Sequence, residues 1–267
     1  MPEQLLALAR SVALEAADLI RELRRGRVEV AATKSSPIDI VTEADRASER
    51  LIYERLLAAR PHDGFLGEEG GSAASTSGVT WVVDPIDGTV NYLYGLPRYS
   101  VSIAARVDER VVAGVVVDVP AGRCFTAVRG EGARRDGQVI TVRGVVPMGE
   151  RLIGTGFHYR AEVKAAQAPA TARMLAEVRD IRRLGSAALD LASLASGELD
   201  GYVEEGLMPW DLAAGGLIAE EAGARVEVHP GAGGTELVVA APADGFDAFL
   251  RVVERCGFVA ARREQNA

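Results

Sequence analysis

The stretch Trp81-Val82-Val83-Asp84-Pro85-Ile86-Asp87-Gly88-Thr89 limits what this chain can fold into more than any other segment. A short apolar run of this kind reads as a buried strand, and it passes without a break into two carboxylates. Pro85 fixes one backbone torsion, and Gly88 permits a conformation or a close approach that a side chain would obstruct. Two carboxylates on one constrained turn can face a single point, where a cation offsets their repulsion. Carboxylate and carbonyl oxygens suit a hard ion such as magnesium, which keeps several waters and also binds substrate phosphate. The N–H groups of Gly88 and Thr89 suit a phosphate if they open a helix.

Other acidic positions sit at strand ends or helix starts: Asp45, Glu68-Glu69 and Asp211. Taken singly, each has an ordinary structural reading. Asp45 can be a helix cap, Asp211 a favourable charge at the positive end of its helix, and Glu68 and Glu69 solvated loop charges. Even Asp84-Pro85 can simply start a turn. The whole Asp84–Thr89 pattern is harder to dismiss, and a metal-binding turn is its preferred reading.

Apolar residues at helical spacing predict a first helix over Glu3–Leu23. Thr42-Glu43-Ala44-Asp45 opens a second, reaching Ala59, with Thr42 at the N-cap and Asp45 at the third position of an acidic capping box. Short strands follow, including Tyr99–Val107, Val111–Val117 and Cys124–Val128. Beyond residue 143, strands alternate with helices over Ala161–Val178, Ser186–Ser196, Trp210–Ala222 and Ala243–Cys256. This order favours two lobes sharing one cleft, residues 1–143 and 144–267.

Composition narrows the function classes. The 267 residues are 48% hydrophobic and 25% charged, ordinary for a globular protein. A net charge of −8 argues against a nucleic-acid-binding surface, but not against small phosphates, because a bound cation reverses the local field. Two distant cysteines, Cys124 and Cys256, read as thiols in a reducing compartment. No segment reads as a signal peptide, and the apolar run Val111–Val117 is too short to span a bilayer. A soluble cytoplasmic protein is expected. A P-loop, a DxD aspartyl nucleophile and a GxSxG elbow are absent, and Arg135 stands where the third glycine of a dinucleotide fingerprint would fall after Gly130 and Gly132.

Four ordered motifs resemble the inositol monophosphatase family across nearly the whole chain. They are Asp39-Ile40-Val41-Thr42-Glu43-Ala44-Asp45, Gly67-Glu68-Glu69, the Trp81–Asn91 segment, and Trp210-Asp211-Leu212-Ala213-Ala214-Gly215 continuing into Glu221-Ala222-Gly223. The resemblance implies an α+β fold, a layered αβαβα sandwich, commonly dimeric, with Mg2+ between the lobes. It implies that Glu68, Asp84, the Ile86 carbonyl, Asp87 and Asp211 are metal ligands. Asp45 and Thr89 would orient and activate the attacking water, with Glu68 also close to it, while the amides of Gly88 and Thr89 hold phosphate. Gly185, Ser186, Ala187 and Glu204 match positions that touch the organic part of the substrate, and Lys34 matches a flexible-loop lysine near the site. Ser186 stands where many relatives carry threonine.

The implied reaction is hydrolysis of myo-inositol monophosphate or a similar small phosphate monoester. Histidinol-phosphate phosphatase and nucleotide 3′-phosphatase are the rivals on the same scaffold, and a regulatory binding protein is the rival from another class. His158, Arg160 and Arg182 are candidates for substrate selection whose role the sequence leaves open.

Overall fold

The computed structural model describes residues 1–26, 28, 30–33 and 40–260. Helix α1 (Pro2–Arg24) buries Leu5, Ala9, Val12, Ala13, Ala16, Ala17 and Ile20, a stripe recurring every three or four residues. Its alanines let the helix lie close to whatever covers it. After β1 (Val30–Thr33) and β2 (Ile40–Thr42), helix α2 (Glu43–Ala59) begins at the expected capping box between Thr42 and Asp45. Lys34 lies outside the described residues.

Next come β3 (Gly64–Gly67), β4 (Ser72–Ala73) and β5 (Val79–Asp87), then a short helix α3 (Thr89–Tyr94). The predicted strands follow as β6 (Ser100–Val107), β7 (Arg110–Asp118) and β8 (Arg123–Val128), with a small hairpin of β9 (Ala133–Arg135) and β10 (Gln138–Ile140) added. These form an eight-stranded sheet in the order β10-β9-β8-β7-β6-β5-β3-β4. Its pairs are antiparallel except β3 with β5.

The remaining elements are β11 (Leu152–Thr155), α4 (Ala161–Met174), β12 (Asp180–Arg182), α5 (Ala187–Ala195), β13 (Gly201–Glu205), α6 (Pro209–Glu221), β14 (Ala224–Pro230), β15 (Glu236–Pro242) and α7 (Phe246–Cys256). Helix α4 stops at Met174, before the expected Val178, and α7 begins after a short 3-10 turn over Ala243–Gly245. The second sheet has the order β12-β11-β13-β15-β14 and mixes parallel with antiparallel pairs.

Stacking follows from which faces are apolar. One face of the first sheet, with Trp81, Val83, Val101, Ile103 and Val115, packs on α1 and α2. The other face, with Val82, Ala104, Val116 and Phe125, packs on α5 and α6. The far sides of those two helices meet Tyr202, Val238 and Ala240 of the second sheet, whose outer face is covered by α4 and α7. Alternate residues of β5 therefore serve opposite layers, as the two-residue period of a strand requires. The result is a five-layer αβαβα sandwich of α+β class. Helix α5 is buried at every position and apolar at all but Asp190 and Ser193, because it lies between two sheets.

Candidate active site and metal centre

In a regular strand, residues three apart point to opposite faces, which would separate Asp84 from Asp87. The register of β5 against β6 removes that difficulty. Asp84 lies opposite Ser102 and Asp87 opposite Ser100, so three steps along β5 match two along β6. The extra residue is a β-bulge, and Pro85, which has no N–H for the ladder, is compatible with it. Both carboxylates thereby reach the face occupied by α5 and α6. The N–H of Ile86 donates to Asp84 Oδ1 at 3.0 Å, holding the turn from within.

The other two carboxylates arrive by packing. Because β3 runs parallel to β5, with Gly67 beside Val83, the two strands end on the same side. The next residue, Glu68, donates its N–H to Val83 O at 3.2 Å, and its carboxyl hydrogen-bonds that of Asp84. Asp211 lies in the first turn of α6, where Oδ2 accepts the Met208 N–H at 2.7 Å. Oxygens of Asp84, Asp87 and Asp211 all lie within 4.8 Å of one another.

Such a cluster is electrostatically unfavourable by itself. Burial raises the Asp84 carboxyl well above its ordinary pKa, and Glu68, Asp87 and Asp211 push it further the same way. Asp211 is raised for the same reasons, burial first and then Glu68 and Asp87. Asp87 is also raised by burial, although its hydrogen bonds oppose the shift. Its partners are Ser186 Oγ at 2.5 Å, the Ala188 N–H at 2.8 Å, the Ala187 N–H at 3.1 Å and Ser100 Oγ at 3.3 Å. A divalent cation would offset this repulsion, and the donors are all oxygens. That set fits a hard ion.

Beside the cluster stands the pair expected to handle a proton. Asp45 Oδ2 accepts the Thr42 N–H at 2.7 Å and Thr42 Oγ1 at 2.5 Å, leaving Oδ1 to face Thr89 Oγ1 at 3.0 Å. The Thr89 hydroxyl also lies 3.1 Å from Ile86 O, so one proton is offered to two acceptors. Burial pushes Asp45 up to about 6 against its hydrogen bonds. Gly88 precedes Thr89 with φ at 99°, and a Cβ there would sit 3.0 Å from both Arg98 O and Gly185 O. Only glycine fits without strain.

These groups open into a cleft of about 470 Å³. Gly185, Ser186, Ala187 and Glu204 all line it, but Ser186 Oγ and the Ala187 N–H are directed at Asp87. The Tyr202 hydroxyl donates to Glu204 Oε2 at 2.5 Å. Burial raises Glu204 to about 7, opposed by Tyr202 and Arg183. His158 and Arg160 line the cleft as well. Arg182 does not: it is exposed and pairs with Asp180, and its neighbour Arg183 faces the cleft instead. A one-residue step along an extended segment reverses the side chain's direction, so this choice depends on register.

Further residues support the site from outside the cluster. Glu49 accepts the N–H groups of Glu69 and Gly71, each at 2.8 Å, and so holds the loop that carries Glu68. Asn91 Nδ2 donates to Arg98 O at 2.7 Å and Leu184 O at 2.8 Å, joining α3 to the start of the Gly185 loop. Asn91 was visible at the end of the Trp81–Asn91 motif, whereas Glu49 looked like any exposed helical charge.

Comparison with known proteins gives a consistent picture. The model of the inositol monophosphatase family matches residues 1–256. The inositol-1-monophosphatase of Mycobacterium leprae (strain TN) is 46% identical over 276 residues, covering 95% of this chain and 94% of that protein. The Nus factor SuhB of Pasteurella multocida (strain Pm70) is 39% identical over 224 residues, covering 83% and 84%. The crystal structure of the extragenic suppressor protein suhB from Bartonella henselae superposes with a TM-score of 0.87 at 32% identity, covering 94% of this chain and 99% of that one.

Proposed function

The chain belongs to the inositol monophosphatase family and is a phosphoric monoester hydrolase, and from that premise we propose that it hydrolyses myo-inositol monophosphate with magnesium as its resident ion. The observation that carries this reading is the convergence of Asp84, Asp87 and Asp211 within 4.8 Å on the floor of the cleft. Glu68, Asp84, the Ile86 carbonyl, Asp87 and Asp211 would hold the ion. When bound, such a cation stabilises charge on phosphate oxygens and lowers the pKa of a coordinated water.

The protein's own groups account for the remaining work. The amides of Gly88 and Thr89 bind the phosphate. Thr89 Oγ1 accepts a proton from the attacking water while its own proton passes to Asp45 Oδ1, which it faces at 3.0 Å. Glu68 stands near the same water and helps orient it. Water attacks phosphorus in line as the P–O bond to the inositol oxygen breaks and the alcohol leaves, without a phosphoenzyme, so catalysis is positioning and charge stabilisation. Glu204 accepts hydrogen bonds from substrate hydroxyls, and Gly185, Ser186 and Ala187 shape the wall beside it.

We take the two lobes to be residues 1–143 and 144–267, meeting at this cleft. We also propose a homodimer, because a second, apolar groove beside α3 and α4 exposes Tyr94 at 75% and Leu175 at 53%; the mass in solution tests it. Cys124 and Cys256 are both free and buried, which supports a cytoplasmic location. Among the described residues no helix is long and apolar enough to cross a membrane.

A phosphate-release screen with magnesium tests the function across inositol phosphates, histidinol phosphate, 3′-phosphoadenosine 5′-phosphate and sugar phosphates. Release is expected to be fastest from inositol monophosphate, and lithium is expected to inhibit it. The name of the Pasteurella relative motivates a second reading, a regulatory binding protein. Folded protein that releases phosphate from none of these substrates would favour it.

A further inference from the structure

Three of the four donors to Asp87 belong to the start of α5: Ser186 Oγ and the amides of Ala187 and Ala188. The first amides of a helix have no partners within it, so α5 presents them to the carboxylate. Their aim depends on where α5 sits along its own axis and how it is rotated. Its sequence, Ala-Ala-Leu-Asp-Leu-Ala-Ser-Leu-Ala, is buried throughout and apolar at all but two positions. Apolar packing is non-directional and sets such a register weakly, whereas hydrogen bonds set it sharply.

The two polar positions, Asp190 and Ser193, are three apart and share a face. Both meet one group, the guanidinium of Arg98. Arg98 Nη2 lies 2.9 Å from Asp190 Oδ1, 2.8 Å from Ser193 Oγ and 3.1 Å from Leu189 O. The side chain of Asp190 is 1% exposed and that of Arg98 18%, so the contact is largely screened from water. Arg98 belongs to the segment joining α3 to β6, and its carbonyl accepts Asn91 Nδ2 at 2.7 Å. The carboxylate turn and the helix that orients it are therefore fastened together through this segment.

We propose that the Arg98–Asp190 contact is a positioning device for Asp87, fixing the register of α5 so that Ser186 and its first amides hold the carboxylate for metal binding. Neither residue lines the cleft, so the pair acts through α5. The inference rests on the reading of Asp87 as a metal ligand.

Calorimetric titration of the full chain with magnesium, with melting temperature recorded for each variant, tests it. Arg98→Met and Asp190→Asn are made together, so that no lone charge is left buried. The double variant is expected to bind magnesium about tenfold more weakly, the lower end of what loss of an outer-shell partner costs. Ser186→Ala should weaken binding as well. Adding it to the double variant should cost less than the product of the two effects, because both act on one carboxylate. Arg98→Lys, which keeps the charge, should recover part of the loss and carries the test if the double variant does not fold. Unchanged magnesium affinity with a lowered melting temperature, or effects that multiply, would overturn the proposal. Failure of the unsubstituted chain to bind magnesium would overturn the metal reading itself.

Discussion

The floor of the cleft and the wall opposite it hold their polar groups in different ways. On the floor, Asp84 is tied to Ile86, Asp87 receives four donors, and Asp45 is fastened to Thr42 and Thr89. Across the cleft, Arg183 makes no salt bridge or hydrogen bond among the described residues, and Glu204 has the Tyr202 hydroxyl as its hydrogen-bond donor. Groups that must meet one ion and one phosphorus need a fixed geometry. Groups that meet the varying organic part of a substrate work with fewer constraints. The contrast matches the roles proposed for them, the floor for the reaction and the wall for the choice of alcohol.

Breaking the floor should have the largest effect. Asp84→Asn removes a negative charge from the centre of the proposed ligand cluster, and turnover is expected to fall by about 10³-fold or more, several kcal/mol of transition-state stabilisation. Steady-state phosphate release across a magnesium series measures this; near-normal magnesium-dependent activity would refute the ligand assignment. Thr89→Ala leaves the carboxylate cluster in place and removes the hydroxyl beside Asp45. Its kcat should drop by about 10²-fold, in the range for proton-transfer assistance, with little change in the magnesium concentration for half activation. An equal loss in both would place Thr89 with the metal instead.

The wall should respond more mildly and differently. Glu204→Gln is expected to raise KM for inositol monophosphate by about tenfold, the scale of one hydrogen bond to a charged group, and to spare kcat. Relative rates on several phosphate esters would show it, and a fall confined to kcat would move Glu204 to the floor.

A smaller effect concerns stability. Burial raises Asp45 to about 6, Glu204 to about 7 and Asp190 to about 8. A carboxyl whose pKa is higher in the folded chain binds more protons there, so its stabilising contribution is present at low pH and is lost as pH rises. With metal chelated, the melting temperature should therefore fall between about pH 4 and pH 8. Asp45→Asn should flatten the lower part of that slope and Glu204→Gln the middle, and a curve that rises through this window would contradict both assignments.

Much of this arrangement is legible without coordinates. The capping box at Thr42 and Asp45, the apolar run ending at Asp84 and the small-residue helix after Ser186 depend on neighbours within a few residues, and each formed where expected. Glu49 could not be picked out, because its acceptors' partners, Glu69 and Gly71, lie more than 19 positions away. No local pattern distinguishes Arg183 from Arg182, because the direction of a side chain near a short edge strand depends on pairing with its neighbour.

The chain by itself determined the main helices and strands, the capping box that starts α2 and the chemical identity of the carboxylates, since these follow from local periodicity and turn chemistry. The tertiary structure decided that Asp84 and Asp87 share a face, through a bulge defined only against β6. It also decided that Glu68 and Asp211 join them, through the parallel β3–β5 pair and the seating of α6 between the sheets. The motifs supply the carboxylates; packing between distant segments brings them to one point.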